Sequence, residues 1–327
     1  MRIGVIGAGA VGGAIAALLA RGGHEVEVTA RGAHLAAIQA EGIQLTGPWG
    51  DFTTGVTAGE LLTRAPELAI VATKAQDARA AILGNGKLLN GIPVVVVQNG
   101  LEGVAATGSL LPRSDVLGAL AMYASSLVKP GQIAITTPGV TYVGGGQDLP
   151  TRFVVAILND VMPTEMISNF MGAQWTKLFV NQINALPAIT GLSVQEVIGI
   201  PGLRRILTRS MQENVHIGMA SHIKFARLQG LSNGRLRTFA RMPLPFAESL
   251  PKLMARRMGA TPNPGSTLQS IRRDRKTEVD YLNGAVLAAA SKVGLNAPVN
   301  AAIVELVHEV ETTHEFLTPE QVIARIG

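Results

Sequence analysis

The stretch Gln174-Trp175-Thr176-Lys177-Leu178-Phe179-Val180-Asn181-Gln182-Ile183-Asn184 sets a lysine and two asparagines among large apolar residues. Lys177 and Asn181 are four apart, and Asn184 is seven from Lys177. On a helix the three share one face. Polar groups on a largely buried helix need partners, and a polar cleft supplies them. The alternative is a lysine that snorkels to solvent beside capping or surface asparagines. An ammonium in a cleft can stabilise negative charge growing on a carbonyl oxygen and donate a proton to it.

A second polar patch reads Ser266-Thr267-Leu268-Gln269, then Lys276-Thr277-Glu278-Val279-Asp280-Tyr281-Leu282-Asn283-Gly284. Ser266 with Gln269 also fits a capping box, and Glu278 also fits a surface acid beside the basic run Arg272, Arg273, Arg275 and Lys276. That run, with Asp274 inside it, reads as a solvated helix face. Spacing does not bring Glu278 to Lys177; only a fold can.

The amino terminus carries a different signal. The apolar run Arg2 to Ile6 is followed by Gly7-Ala8-Gly9-Ala10-Val11-Gly12 and an Ala-rich helical pattern that Gly22-Gly23 stops. A strand, a G-x-G-x-x-G turn and a helix form a dinucleotide fingerprint. Gly7 permits the tight turn, Gly9 lets the backbone approach a pyrophosphate, and Gly12 lets the helix pack on the strand. The phosphates then meet the positive end of the helix dipole. NAD binders place an acid at the end of the second strand, about 20 residues past the glycines. Here that place reads Val28-Thr29-Ala30-Arg31. The acid is missing, and a guanidinium pairs well with a 2′-phosphate, so the reading is NADP(H); the alternative is a surface arginine.

Two further polar residues follow apolar runs. Lys74 comes after Leu68 to Ala72, and Asn99-Gly100 after Pro93 to Val97. Ligands of open α/β sheets bind beyond the carboxyl ends of the strands. Lys74 is thus placed for a phosphate or carboxylate, and Asn99 for a ribose or substrate, although Asn-Gly also makes ordinary turns.

Positioning these residues requires βαβ units. Short apolar runs at Arg2 to Ile6, His24 to Ala30, Leu68 to Ala72, Pro93 to Val97 and Val116 to Ala121 alternate with helix-compatible stretches such as Glu102 to Leu111. That alternation predicts a parallel sheet. The texture changes after about Pro163, and from Phe170 the chain reads as helices with short breaks. Ser193-x-x-Glu196 reads as a capping box, and Thr318-Pro319 as an N-cap followed by proline. The expected fold is α/β: an N-terminal parallel-sheet domain over 1–166 and an all-helical domain over 167–327.

Composition narrows the chemistry. The 327 residues contain no cysteine, which excludes disulfides and thiolate catalysis. None of the six histidines stands at metal-ligand spacing, so no metal is expected. A net charge of +5 and 4% aromatic residues, with no aromatic in the basic run, argue against nucleic acid. No apolar stretch reaches transmembrane length, and the amino terminus has no signal-peptide pattern. A cytoplasmic protein without a membrane partner is expected.

The Gly7–Gly12 turn, the Lys74-Ala75 and Asn99-Gly100 pairs, the Lys177-to-Asn181 segment and the Glu278-to-Gly284 run occur in an order and at separations that resemble the ketopantoate reductases, or 2-dehydropantoate 2-reductases. The match covers nearly the whole chain. The resemblance implies a Rossmann domain and a helical domain with the active site in the cleft between them. It implies NADPH as hydride donor and reduction of 2-dehydropantoate to pantoate, a step toward pantothenate and coenzyme A. By motif, Lys177 matches the family's catalytic lysine, and Glu278 the cleft glutamate, which serves substrate, lysine or cofactor. Asn99 matches the asparagine near both nicotinamide and substrate. Asn181 and Ser266 match substrate-binding positions, Arg31 and Lys74 match cofactor-phosphate positions, and Ala124 matches a backbone contact to the cofactor. The stretch after Asn181 is one residue shorter than in many members, so Asn184 matches the second family asparagine only across a gap. Val194 stands where some members carry another asparagine, and Ser270 replaces an aspartate. These departures lie in the substrate half. A reductase of another small 2-oxo acid and a non-catalytic NADPH-binding sensor remain as other readings; a homodimer is admitted. A β-hydroxyacid dehydrogenase of the 6-phosphogluconate type fits the two pairs and the Glu278 run less well.

Overall fold

The computed structural model describes residues 1–259 and 261–327. They form two compact units, Met1–Phe170 and Met171–Gly327.

The first unit contains β1 (Arg2–Ile6), β2 (Glu25–Thr29), β3 (Ile43–Thr46), β4 (Phe52–Thr54), β5 (Thr57–Gly59), β6 (Leu68–Val71), β7 (Val94–Val97), β8 (Val116–Ala121), β9 (Ala124–Lys129), β10 (Gln132–Thr137), β11 (Thr141–Gly144) and β12 (Thr164–Met166). The main sheet has the order β12-β11-β8-β7-β6-β1-β2-β5. Every pair in it is parallel except β8 with β11. The central strands are continuous apolar runs because helices cover both faces of a parallel sheet, and β6 and β7 are buried along their whole length. Helices α1 (Ala10–Arg21), α2 (Gly32–Glu41), α3 (Ala75–Leu89), α4 (Gly103–Leu110) and α5 (Asp148–Asn159) complete the unit.

A second sheet, β4-β3-β10-β9, departs from the expectation of one parallel sheet. Its strands mix polar with apolar residues and are partly exposed, so they lack the unbroken apolar runs by which the central strands announce themselves. It packs on α1. Residues Gly12 to Leu19 of that helix are all buried, as befits a helix apolar all round. A Cβ on Gly13 would lie 2.2 Å from Ile133 Cδ1 of β10.

The second unit is helical: α6 (Phe170–Asn181), a 3-10 turn at Gln182–Asn184, α7 (Ala185–Thr190), α8 (Val194–Gly199), α9 (Pro201–Ala220), α10 (Asn233–Arg241), α11 (Leu244–Ala247), α12 (Ser249–Arg257), α13 (Gly265–Ile271), a 3-10 turn at Val279–Tyr281, α14 (Asn283–Lys292), α15 (Pro298–Thr313) and α16 (Pro319–Ile326). Both expected caps are present: Ser193 with Glu196 starts α8, and Thr318 with Gln321 starts α16. The basic run does not form a helix face. Arg272 follows the end of α13, and Asp274 adopts φ +52° in the turn beyond it.

Two polar systems organise this unit. Ser210 Oγ lies 2.7 Å from Gln182 Oε1, to which Asn283 Nδ2 donates at 2.7 Å; Asn283 Nδ2 also donates to Asn300 Oδ1 at 3.0 Å. Asn300 Nδ2 reaches Glu213 Oε2 at 2.7 Å, and the Glu213 carboxylate also accepts the N–H groups of Val299 and Asn300. It thereby satisfies orphan donors at the start of α15. Elsewhere, Arg204 Nε donates to Glu248 Oε2 at 2.8 Å, with both side chains 11% exposed. Removing one member of a buried pair strands the other's charge, so Glu248→Ala is expected to cost about 3–5 kcal/mol. Denaturant unfolding checks this; Arg152→Ala, at the exposed Arg152–Asp148 pair, should cost at most about 1 kcal/mol.

Candidate active site

The glycine turn answers separate steric demands. Gly7 has φ +96°, and a Cβ there would lie 2.8 Å from the Thr73 backbone nitrogen. A Cβ on Gly12 would lie 2.1 Å from the Gly7 carbonyl oxygen and 2.8 Å from Ala72 Cβ. Gly9 differs: nothing lies within 4 Å of where its Cβ would stand. Gly9 is the N-cap of α1, Ala10 and Val11 open the helix, no side chain caps it and its first turn has no acid. Its unpaired N–H groups and positive dipole end make an anion cradle, which fits a dinucleotide pyrophosphate. The chain runs from β1 to β2 on one side and returns to β6 on the other. Sheets of this kind take ligands beyond the carboxyl ends of the strands at such a reversal.

Neighbouring residues hold the turn. The N–H of Gly7 donates to Thr29 Oγ1 at 2.9 Å, and that of Ala8 to the Thr29 carbonyl at 2.8 Å. His34 Nδ1 accepts the Gly131 N–H at 3.0 Å, so its proton sits on Nε2, which donates to the Ala8 carbonyl at 2.6 Å. Thr29, buried at the end of β2, and His34 are structural partners that the sequence reading did not single out. A threonine at the end of a strand, three residues before a generic helix, gives no sequence signal.

The other expected cofactor residues stand around this edge. Arg31 is exposed at the N-cap of α2, two residues past β2. Glu27 of β2 is engaged by the N–H and hydroxyl of Thr63. Lys74 is the partly buried N-cap of α3. Asn99 lies two residues past β7, before Gly100 at φ +88°. Gln98 Nε2 donates to the Thr73 carbonyl at 2.9 Å and so ties the Lys74 and Asn99 loops together. Ala124 opens β9, exposed, and its carbonyl accepts from Thr136 Oγ1 at 3.3 Å.

In the helical unit, α6 buries Trp175, Thr176, Leu178 and Phe179. Phe179 meets Phe239 of α10 edge to face at 5.3 Å. Gln174, Lys177, Asn181 and Asn184 are partly buried. Lys177 and Asn181 share α6, but the helix tightens at Gln182, and Asn184 ends a 3-10 turn. The single helical stripe thus stops at Asn181. Asn184 instead turns to the next patch: its Oδ1 accepts the Ser266 N–H at 3.3 Å and would lie 2.8 Å from a Cβ on Gly265, whose φ is +69°. Ser266 is exposed inside α13 and does not cap it, since Pro264 is the N-cap. Ser270 donates to the Ser266 carbonyl at 3.2 Å, and Val194 is buried.

Glu278, partly buried, caps the 3-10 turn Val279–Tyr281. Its carboxylate acts on Lys177. Burial pushes the Lys177 ammonium down to about 8, against the opposing pull of Glu278 toward the charged form. The fold therefore brings two groups about a hundred residues apart within electrostatic reach of one another, which no spacing rule could foresee. Asn283, next to that turn, and Gln182, next to Asn181, belong to one buried amide network, which couples both polar patches. Among the described residues no cluster of acids and histidines has the geometry of a metal site, and no helix is long and apolar enough to cross a membrane.

Two family descriptions match the chain: "Ketopantoate reductase PanE/ApbA" over residues 3–148 and "Ketopantoate reductase PanE/ApbA C terminal" over 169–311. The chain is 26% identical to 2-dehydropantoate 2-reductase of Pyrococcus horikoshii, covering 95% of this chain and 98% of that protein. It is 27% identical to the Halobacterium salinarum enzyme of the same name, covering 94% and 98%. A crystal structure of a PanE/ApbA family ketopantoate reductase from Ralstonia eutropha superposes with a TM-score of 0.81 at 27% identity, covering 95% of this chain and 99% of that one. D-mandelate dehydrogenase with NADH and anilino(oxo)acetate shares the fold, with a TM-score of 0.81 at 20% identity over 96% of this chain and 99% of that one.

The glycines separate binding from folding. Gly9→Ala should change stability by no more than about 1 kcal/mol yet weaken dinucleotide binding, because its methyl enters the cradle. Gly12→Ala should cost about 1–3 kcal/mol through overpacking. Thermal unfolding and a binding titration on each variant distinguish the two.

Proposed function

The chain belongs to the ketopantoate reductase family, and from that premise we propose that it reduces 2-dehydropantoate to pantoate with NADPH, Lys177 serving as proton donor. The observation that carries this reading is a lysine set in an apolar helix, its ammonium lowered to about 8 by burial against the opposing charge of Glu278. A general acid works best with its pKa near the operating pH, and desolvation has moved this amine there.

A nicotinamide dinucleotide, when bound, supplies the hydride. The α1 amino terminus holds its pyrophosphate, and Lys74 adds a cation beside the phosphates. Arg31 pairs with the 2′-phosphate; no carboxylate stands at Thr29 or Ala30 to prefer a free 2′-hydroxyl. Asn99 orients the nicotinamide side and the substrate. Asn181, Asn184 and Ser266 hold the substrate's carboxylate and hydroxyl. As charge grows on the C2 oxygen, the Lys177 ammonium stabilises it and gives up its proton, while Glu278 keeps the amine charged and oriented.

A second reading, reduction of another small 2-oxo acid, is favoured by Val194. It is buried and apolar where some family members offer an amide. A panel of 2-oxo acids with NADPH separates the two readings, and oxidation of NADPH by none of them would leave a binding protein without turnover.

Lys177→Ala should lower kcat by roughly 10²–10⁴-fold with the Kd for NADPH unchanged; an undiminished kcat sinks the assignment. The donor must be protonated, so kcat for reduction should fall as pH rises through about 8. Losing the Arg31 pair with a phosphate should cost about 1.5–3 kcal/mol. Arg31→Ala is therefore expected to weaken NADPH binding roughly 10- to 100-fold and to leave NADH binding alone, which a fluorescence titration with both cofactors reads.

A further inference from the structure

His308, on α15, faces two carboxylates. Its Nδ1 lies 2.9 Å from Glu311 Oε2 and its Nε2 lies 2.9 Å from Asp280 Oδ1. An ionised carboxylate only accepts hydrogen bonds, and a neutral imidazole donates through one nitrogen only. Both contacts are satisfied together only by the imidazolium.

The two carboxylates lead to the segment that carries Glu278. Asp280 is two residues after it. Glu311 Oε1 accepts the N–H of Thr277, the residue before it, at 2.6 Å, and Thr277 Oγ1 accepts the Val279 N–H at 3.2 Å. The segment itself is a single 3-10 turn, closed by the Tyr281 and Leu282 N–H groups on the Glu278 carbonyl. One short turn fixes little by its own backbone bonds, so side-chain ties and the burial of Thr277 and Val279 decide where it sits. Helix α15 gives those ties a firm base, because Glu213 holds its first turn.

We propose that His308 is a positioning residue: as an imidazolium it clamps the 277–281 turn to α15 and holds Glu278 toward Lys177, and losing its proton releases that turn. The inference rests on the roles given above to Lys177 and Glu278. Partial burial alone would lower the His308 pKa, but the hydrogen bonds to Glu311 and Asp280 outweigh it and raise the pKa above 6.5. Glu311, on its own helix, and Asp280, on the clamped turn, are the charged groups that act on it. The sign follows from linkage. A raised pKa means the clamp is complete below 6.5 and is lost as pH rises through the raised value. Release takes Glu278 from Lys177, whose pKa then drops below about 8, since Glu278 was raising it. Both changes lower the fraction of protonated Lys177 on the alkaline side.

The test follows the Lys177 side chain by NMR titration of the full-length protein without added cofactor, in wild type, His308→Gln, His308→Lys and Glu278→Gln. Wild type should show two inflections at Lys177, its own and one at the pKa of His308. His308→Gln should lose the second and move the first downward. His308→Lys keeps a cation that does not titrate near neutrality, so it should lose the His308 inflection and hold Lys177 near the wild-type value. It also serves where His308→Gln does not fold. The alkaline limb of kcat should move in parallel, with KM for NADPH unchanged. If Glu278→Gln shifts Lys177 and neither His308 variant alters its titration, the clamp is overturned while the Lys177–Glu278 pairing stands. If Glu278→Gln leaves Lys177 unmoved, the pairing fails and the clamp with it.

Discussion

An ammonium group embedded in an apolar helix is the constraint on which the helical unit turns. Taking Lys177 out of water disfavours its charged form, and the amine is lowered to about 8 from a free value of 10.5. Between those values the unfolded chain holds the proton more tightly than the folded one. By linkage this group therefore works against the fold at neutral pH, and the penalty is relieved as pH rises from about 8 toward 10.5. A position that costs stability and carries a tuned acid is the kind found at functional sites. Glu278 keeps the cost bearable by favouring the charged form.

Much of the surrounding structure fixes that pair. Trp175, Thr176, Leu178 and Phe179 bury the other side of α6, so the helix has little freedom to roll. The amides of Gln182, Asn283 and Asn300, with Ser210 and Glu213, meet in the interior. A buried polar network is costly where a group is left unsatisfied, and in this one Asn283 Oδ1 alone of the named groups has no partner among the described residues. This one ties the end of α6 to the start of α14, immediately after the segment that carries Glu278. The tightening of the chain into a 3-10 turn at Gln182–Asn184 then directs Asn184 to the backbone of Ser266.

The nucleotide-binding unit shows a different economy. Its platform is backbone: a bare Gly9, an uncapped α1 and a strand order that reverses beside β1. Side chains hold the backbone in place from behind, as with Thr29 and His34 on the turn and Gln98 between the neighbouring loops. Such supports leave no motif, because a threonine or histidine serves equally well in many surroundings.

What was legible in the amino-acid sequence was whatever depends on near neighbours along the chain. The Gly7–Gly12 turn, the buried runs at Leu68–Val71 and Val94–Val97, the caps at Ser193 and Thr318 and the change to helices at Phe170 are set by local sterics, apolar periodicity and short-range hydrogen bonds. The second sheet is weakly marked in sequence because β3 and β10 alternate buried and partly exposed positions over only two repeats, while β4 and β9 have no buried face at all. The basic run after Ile271 resembles a helix face in sequence because charge spacing does not reveal where a helix stops. Only the tertiary structure could bring Glu278 to Lys177, Asn184 to Ser266 and His308 between Asp280 and Glu311. Those pairings are made by the packing of helices distant in sequence, and burial, which sets the charge state of Lys177, exists only once that packing has formed.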